Sequence, residues 1–273
     1  MKGRVLIIAG SDSGGGAGIQ ADIKTVTALG GYAATAITAL TAQNTEGVFG
    51  IVAVDPAFVA LQMRLVLNDI GADCLKTGML HDAATIEAVT ETIEAAASGI
   101  PLVVDPVMIA KGGAALLDGG AVEALKRRLA GHATVLTPNL PEAEALTGRE
   151  ILDLDGMRRA AEALMALGAR AVLVKGGHLP GPVIHDVLAT AAGIRLFEGP
   201  RIETRHTHGT GCTLASAIAT GLAQGHEIAP AVERARAYVQ EAIRLAPGYG
   251  KGHGPLNHGH TVGAGHEKPD GSA

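Results

Sequence analysis

VLIIAGSDSGGGAG, residues 5–18, is the stretch on which the fold turns. Five apolar, mostly branched residues run into a glycine-rich turn, and the segment beyond it takes up helical spacing. A strand that feeds a loop and then a helix is the repeating unit of an α/β protein. The same alternation recurs along the chain. Short Val-, Ile- and Leu-rich runs stand at 5–9, 33–40, 51–55, 74–79, 102–107, 134–137 and 171–174, with helical segments between most of them. This predicts a mostly parallel central sheet with helices on both faces. Leu214, Ile218 and Leu222 form one apolar stripe, and Ile228, Val232, Ala235, Val239 and Ile243 form a longer one on a C-terminal helix. Residues 183–197 break the pattern. They read as two short strands around Ala192-Gly193, a small β-hairpin at a sheet edge or a lid.

Composition narrows the class. The 273 residues are 47% hydrophobic and 18% charged, enough to bury a large core. A net charge of −5, no basic run and only three Phe, three Tyr and no Trp argue against a nucleic-acid partner. Cys74 and Cys212 are too far apart for a zinc-type pair and suggest no disulfide framework, so the cytoplasm fits. The opening MKGRVLIIAG is too short in its apolar part for a secretion signal. Residues 25–45 carry no charge and have membrane length, but six Thr and Gly30-Gly31 divide them, which reads as a helix end followed by a buried strand. No linker interrupts 1–258, which reads as one domain, and the Gly- and His-containing residues 259–273 read as a flexible tail.

Ligands of parallel α/β sheets bind at the loops leaving the carboxyl ends of the strands. Residues 10–18 form the first such loop, whose backbone amides face an anion or polar ring if it is a site and nothing if it is a plain turn. It matches neither a Walker motif nor GxGxxG. Asp105 ends an apolar strand in VDPVM, and Asn139 and Glu142 stand three apart at a helix start in TPNLPEA. Such hard oxygen ligands suit Mg²⁺. Asp105 is equally readable as a cap and Glu142 as a first-turn residue favoured by the helix dipole. Lys175 stands one step past a strand, facing phosphate oxygens or snorkelling to solvent. In HTHGTGCTL, residues 206–214, Gly209, Thr210 and Gly211 leave amides free at a helix N-terminus, placed to hold charge during phosphoryl transfer. Cys212 is there either a thiol lowered by the helix field or a small buried hydrophobe.

Eight blocks in order carry a resemblance: AGSDSGGGAGIQADIKT (9–25), TALTAQNT (38–45), KTGML (76–80), VDPVM (104–108), TPNLPEAEALTG (137–148), VKGGH (174–178), HTHGTGCTLASAIA (206–219) and GKGHGPLNH (250–258). The chain resembles the hydroxymethylpyrimidine/phosphomethylpyrimidine kinases of thiamine biosynthesis, within the ribokinase-like superfamily. The resemblance implies a three-layer ribokinase-like fold, ATP and Mg²⁺, and a homodimer acting on a small molecule, with no membrane. It implies phosphorylation of 4-amino-5-hydroxymethyl-2-methylpyrimidine to its monophosphate and then to the diphosphate. Gln43 and Asp22 would bond the pyrimidine, and Gly10, Met79 and Val107 would line its pocket. Asp105 and Glu142 would organise Mg²⁺ through waters, and Asn139 and Lys175 would contact phosphates. Gly209, Thr210 and Gly211 would form the anion hole, with Cys212 where sugar kinases of the superfamily carry an Asp base. The rivals are a pyridoxal kinase of the same superfamily, a non-catalytic ligand-binding domain, and an oxidoreductase, which the failed GxGxxG opposes.

Overall fold

The structure is a computed structural model and describes residues 1–108 and 119–262. The predicted tail at 259–273 lies outside the described residues from 263 on. Among the described residues, eight strands form one sheet. In spatial order these are Gly193–Pro200 (β10), Val183–Thr190 (β9), Ala171–Lys175 (β8), Val135–Leu136 (β7), Leu102–Val104 (β6), Cys74–Thr77 (β5), Arg4–Ala9 (β1) and Tyr32–Ile37 (β2). The strands from β8 to β2 are mutually parallel, while β9 and β10 run antiparallel as the predicted edge hairpin.

Strand periodicity divides the core in two. Leu6 and Ile8 of β1 face one side, with Val59 and Met63 of helix α2 (Pro56–Asp69) and Ile86 and Val89 of α3 (Ala83–Ala96). The same layer contains Gly119–Ala124 (α4), Leu140–Thr147 (α5) and Leu154–Met165 (α6). Val5, Ile7 and Ala9 face the other side, against Gly18–Ala28 (α1), Thr210–Ala223 (α7) and Ile228–Arg244 (α8). Successive side chains of a strand point to opposite faces, so an unbroken apolar run requires helices on both. Each fully buried Val, Leu or Ile contributes about 1.5–3 kcal/mol.

Three expectations are corrected. The run 33–40 is not one strand: β2 ends at Ile37, and Ala39–Gln43 (β3) leaves the sheet to pair antiparallel with Val48–Ala53 (β4). The run predicted at 51–55 therefore belongs to this separate hairpin, and Asp55 caps α2 by accepting from Ala57 N and Phe58 N. The chain changes direction at Thr38, whose amide donates to the Ala9 carbonyl and whose hydroxyl donates to the Met79 carbonyl. Neither bond is visible in local alternation. β2 is also a half-buried edge strand rather than a buried one, because only β1 flanks it.

Candidate active site

The carboxyl ends of β1, β5, β6, β7 and β8 open into one cleft of about 720 Å³, closed on one side by the loop before α7. Gly209 starts α7 with φ +82°, and a Cβ there would stand 1.8 Å from the Gly16 carbonyl oxygen. Only glycine serves at that contact. Gly211 and Cys212 follow in the first turn, where helix amides lack intrahelical partners. A Cβ on Gly211 would meet Lys175 Nζ at 3.2 Å and Asp105 Oδ2 at 3.7 Å. Helix terminus, ammonium and carboxylate thus converge on one point.

Asp105 is buried at the end of β6. Its Oδ1 accepts from Lys175 Nζ at 3.0 Å and Thr137 Oγ1 at 3.2 Å, while its Oδ2 has no protein partner. Lys175 Nζ also lies 3.9 Å from Glu142 Oε2. Burial lowers the lysine's affinity for its proton, but Asp105 and then Glu142 outweigh it and its pKa is raised. Asn139 and Glu142 make a capping box on α5: Asn139 Oδ1 accepts from the Glu142 amide at 2.9 Å, and Glu142 Oε2 accepts from the Asn139 amide at 2.7 Å. Both residues are therefore structural caps that also line the cleft. Burial, with Asp105 adding to it, pushes Glu142 up to about 7 against the pull of Lys175.

The first loop is organised from within. Its amides at Gly14, Gly16 and Ala17 are engaged inside the loop itself. They donate to the buried carboxylate of Asp12 at 2.7–3.0 Å, and His208 Nε2 approaches the same carboxylate at 2.8 Å. Burial opposes ionisation, but the His208, Gln43 and Ala17 hydrogen bonds overcome it and lower Asp12 to about 2. Aspartate three residues after the strand is an Asx-turn signal that would have found this loop organiser.

Gly10, Gln43, Met79 and Val107 all line the cleft, with Met79 Cε only 2.3 Å from where a Gly10 Cβ would stand. Gln43 sits at the irregular end of the β3–β4 ladder, its backbone tied to Ser13 Oγ. Asp22 does not reach the cleft. It is fully buried, and its two oxygens accept from Lys76 Nζ at 2.8 Å and Ser216 Oγ at 2.7 Å. Burial raises its pKa. Lys76, a residue that local sequence reasoning missed, lines the cleft in its place. The lowered thiol expected at Cys212 is corrected too. Burial, only partly countered by Lys76, pushes it up to about 12, so the side chain is a thiol at neutral pH.

A mostly parallel sheet with a helix N-terminus, an opposed lysine and two carboxylates over one cleft is the layout of a small-molecule kinase of the ribokinase-like class. Residues 12–257 match the family model for phosphomethylpyrimidine kinase. The chain is 56% identical over 257 residues to the thiamine biosynthesis bifunctional protein ThiED of Geobacter sulfurreducens, covering 94% of this chain and 52% of that longer protein. It is 48% identical to the hydroxymethylpyrimidine/phosphomethylpyrimidine kinase of Streptomyces coelicolor, over 95% of both chains. Among solved structures, an ADP complex of Bacillus subtilis pyridoxal kinase superposes with a TM-score of 0.88 at 37% identity, covering 94% of this chain and 98% of that one. The chain belongs to the phosphomethylpyrimidine kinase family.

Proposed function

We propose that this protein uses ATP to phosphorylate 4-amino-5-hydroxymethyl-2-methylpyrimidine and then phosphorylates the monophosphate to the diphosphate, as a step of thiamine biosynthesis. The observation that carries this reading is the convergence at Gly211 of the α7 terminus, Lys175 and the unpartnered Asp105 Oδ2. Phosphoryl transfer needs positioning and charge stabilisation more than covalent help. The Gly209, Thr210 and Gly211 segment holds transferring oxygens on backbone amides, and Lys175 and Asn139 hold the donor phosphates. Asp105 Oδ2 and Glu142 fit Mg²⁺: two hard oxygen donors, one lacking a partner and one whose ionisation a cation favours, with phosphates and waters left to complete the shell. The cation would neutralise charge developing on the phosphates.

Gln43, through an amide that both donates and accepts, selects the aminopyrimidine, and Gly10, Met79 and Val107 shape its pocket. The second turnover requires less of the protein, because a phosphate acceptor is already ionised near neutral pH with its second pKa at about 6. The enzyme acts in the cytoplasm, where its two free cysteines would stay reduced. It acts as a homodimer. Leu40 and its cross-strand partner Val52, together with Phe49, leave an apolar surface on the β3–β4 hairpin, and Phe58, Leu61 and Leu65 make an exposed stripe on α2.

An ATP-consumption assay against the pyrimidine alcohol, its monophosphate, pyridoxal and pyridoxamine tests the function. Turnover of the first two is expected; turnover of pyridoxal alone would transfer the assignment to the activity of the Bacillus subtilis relative, and inactivity on all four would remove it. Sedimentation of the native chain and of Phe49→Asp tests the dimer, which the charge should weaken.

A further inference from the structure

Lys76 is the most buried cation in the cleft wall, and the proposed transfer gives it no role. It projects from β5, three residues before Met79, and its side chain is fully buried while lining the cleft. Its ammonium donates to Asp22 Oδ2 at 2.8 Å, and Asp22 is locked from its other oxygen by Ser216 of α7. An ammonium has three donors. Here one carboxylate takes one of them, whereas the Lys175 ammonium already has two carboxylates within 4 Å. Burial would neutralise an isolated lysine, but Asp22, with Cys212 and Asp105 adding to it, keeps this one charged. A charged, rigidly held lysine with spare donors, on the strand that leads to Met79 and within the field of Cys212, is on the side of the cleft assigned to the acceptor.

We infer that Lys76 binds the phosphate of the pyrimidine monophosphate, placing it for the second phosphorylation, and that Asp22 and Ser216 position the ammonium. This rests on two successive phosphorylations at one site. It deepens that reading by naming what distinguishes the two acceptors. The alcohol is neutral and the monophosphate is a dianion above its second pKa of about 6. One ammonium paired to one carboxylate leaves the empty wall neutral for the alcohol, yet presents donors to the anion. Lys76 exchanges no proton and forms no bond. It supplies charge-assisted hydrogen bonds to acceptor oxygens while the phosphoryl group passes from the nucleotide to one of them.

The test compares the KM of the monophosphate with that of the alcohol in the native enzyme, in Lys76→Gln, and in the double variant Lys76→Met with Asp22→Leu. The double variant removes the ion pair without leaving a charge buried alone, a replacement that folded proteins often tolerate. The ratio of the two KM values should rise about tenfold or more in each variant, the loss of a charge-assisted hydrogen bond. Calorimetric titration of the monophosphate should weaken in parallel. An unchanged ratio, or equal losses on both acceptors, would overturn the inference and mark Lys76 as structural. Failure of the native enzyme on both acceptors would instead remove the function on which it rests.

Discussion

At the scale of single residues, Cys212 shows how burial can overrule a helix dipole. The α7 terminus and Lys76 favour a thiolate, while desolvation, Asp22 and Asp105 oppose it, and the balance leaves the group protonated. Alkylation by iodoacetamide should therefore be slow at pH 7 and accelerate about tenfold per pH unit up to pH 9, because the thiolate is the nucleophile. A plateau below pH 9 would contradict the assigned burial. In the proposed reaction the thiol positions the acceptor hydroxyl, whose proton passes to an oxygen of the arriving phosphoryl group as the new O–P bond forms. Cys212→Ala should slow the first phosphorylation by about tenfold, the scale of a lost hydrogen bond, and the second by less, since the second acceptor arrives ionised and has no hydroxyl proton to position. Coupled ADP release on each acceptor measures both; equal losses would sink this role. Gln43→Leu should raise the KM for the alcohol by about tenfold through a lost amide hydrogen bond, with thermal stability unchanged.

At the scale of elements, three separate segments must meet to build the proposed anion hole. The loop after β1 is organised by Asp12, which gathers its amides and ties them to His208 beside the α7 start. The Gly209 turn lies against Gly16 of that loop. The segment after α8 grips the hairpin that carries Gln43: His253 N donates to the Thr45 carbonyl at 2.8 Å, Gly252 N reaches the Thr45 hydroxyl, and His208 N donates to the Gly254 carbonyl. Gly209→Ala places a side chain at positive φ and against the Gly16 carbonyl, with about 1–2 kcal/mol of backbone strain before the clash is counted. Its kcat should fall at least about 100-fold on both acceptors, the scale of a lost oxyanion donor. A smaller effect would mean that the loops relax without disturbing the hole.

At the scale of the whole molecule, the C-terminal segment docks as firmly as a core element. His258 is 4% exposed; its Nε2 meets Thr213 Oγ1 at 3.0 Å, and its carbonyl accepts from Tyr238 Oη at 2.6 Å. Burial first, then the charges of Lys24 and His260, lowers His258 to about 4. The unfolded chain therefore binds a proton that the folded chain refuses between pH 6.5 and about 4. This contribution is complete above pH 6.5 and is lost as pH falls through that window, about 2 kcal/mol of it by pH 5. Urea unfolding at pH 7.5 and pH 5 should show the loss, and His258→Gln should reduce it. A variant with the native pH dependence would assign the effect to other groups.

What the chain determined by itself is whatever depends on neighbours in sequence. The apolar run of β1, the hairpin at Ala192-Gly193 and the stripes of α7 and α8 are legible because strand and helix periods act over a few residues. The site loops are legible for the same reason, since glycine, proline and capping residues act locally. Tertiary structure decided the pairings that span the chain. Asp22 is 54 residues from Lys76 and 194 from Ser216, so a residue expected against the pyrimidine proved to be the anchor of a buried lysine. Asp12 and His208 lie 196 apart. The separation of β3 from β2 likewise depended on Ala9 and Met79, residues remote from Thr38. Burial settled the protonation of Cys212 and Glu142, because desolvation is a property of everything packed around a group and of nothing beside it in the chain.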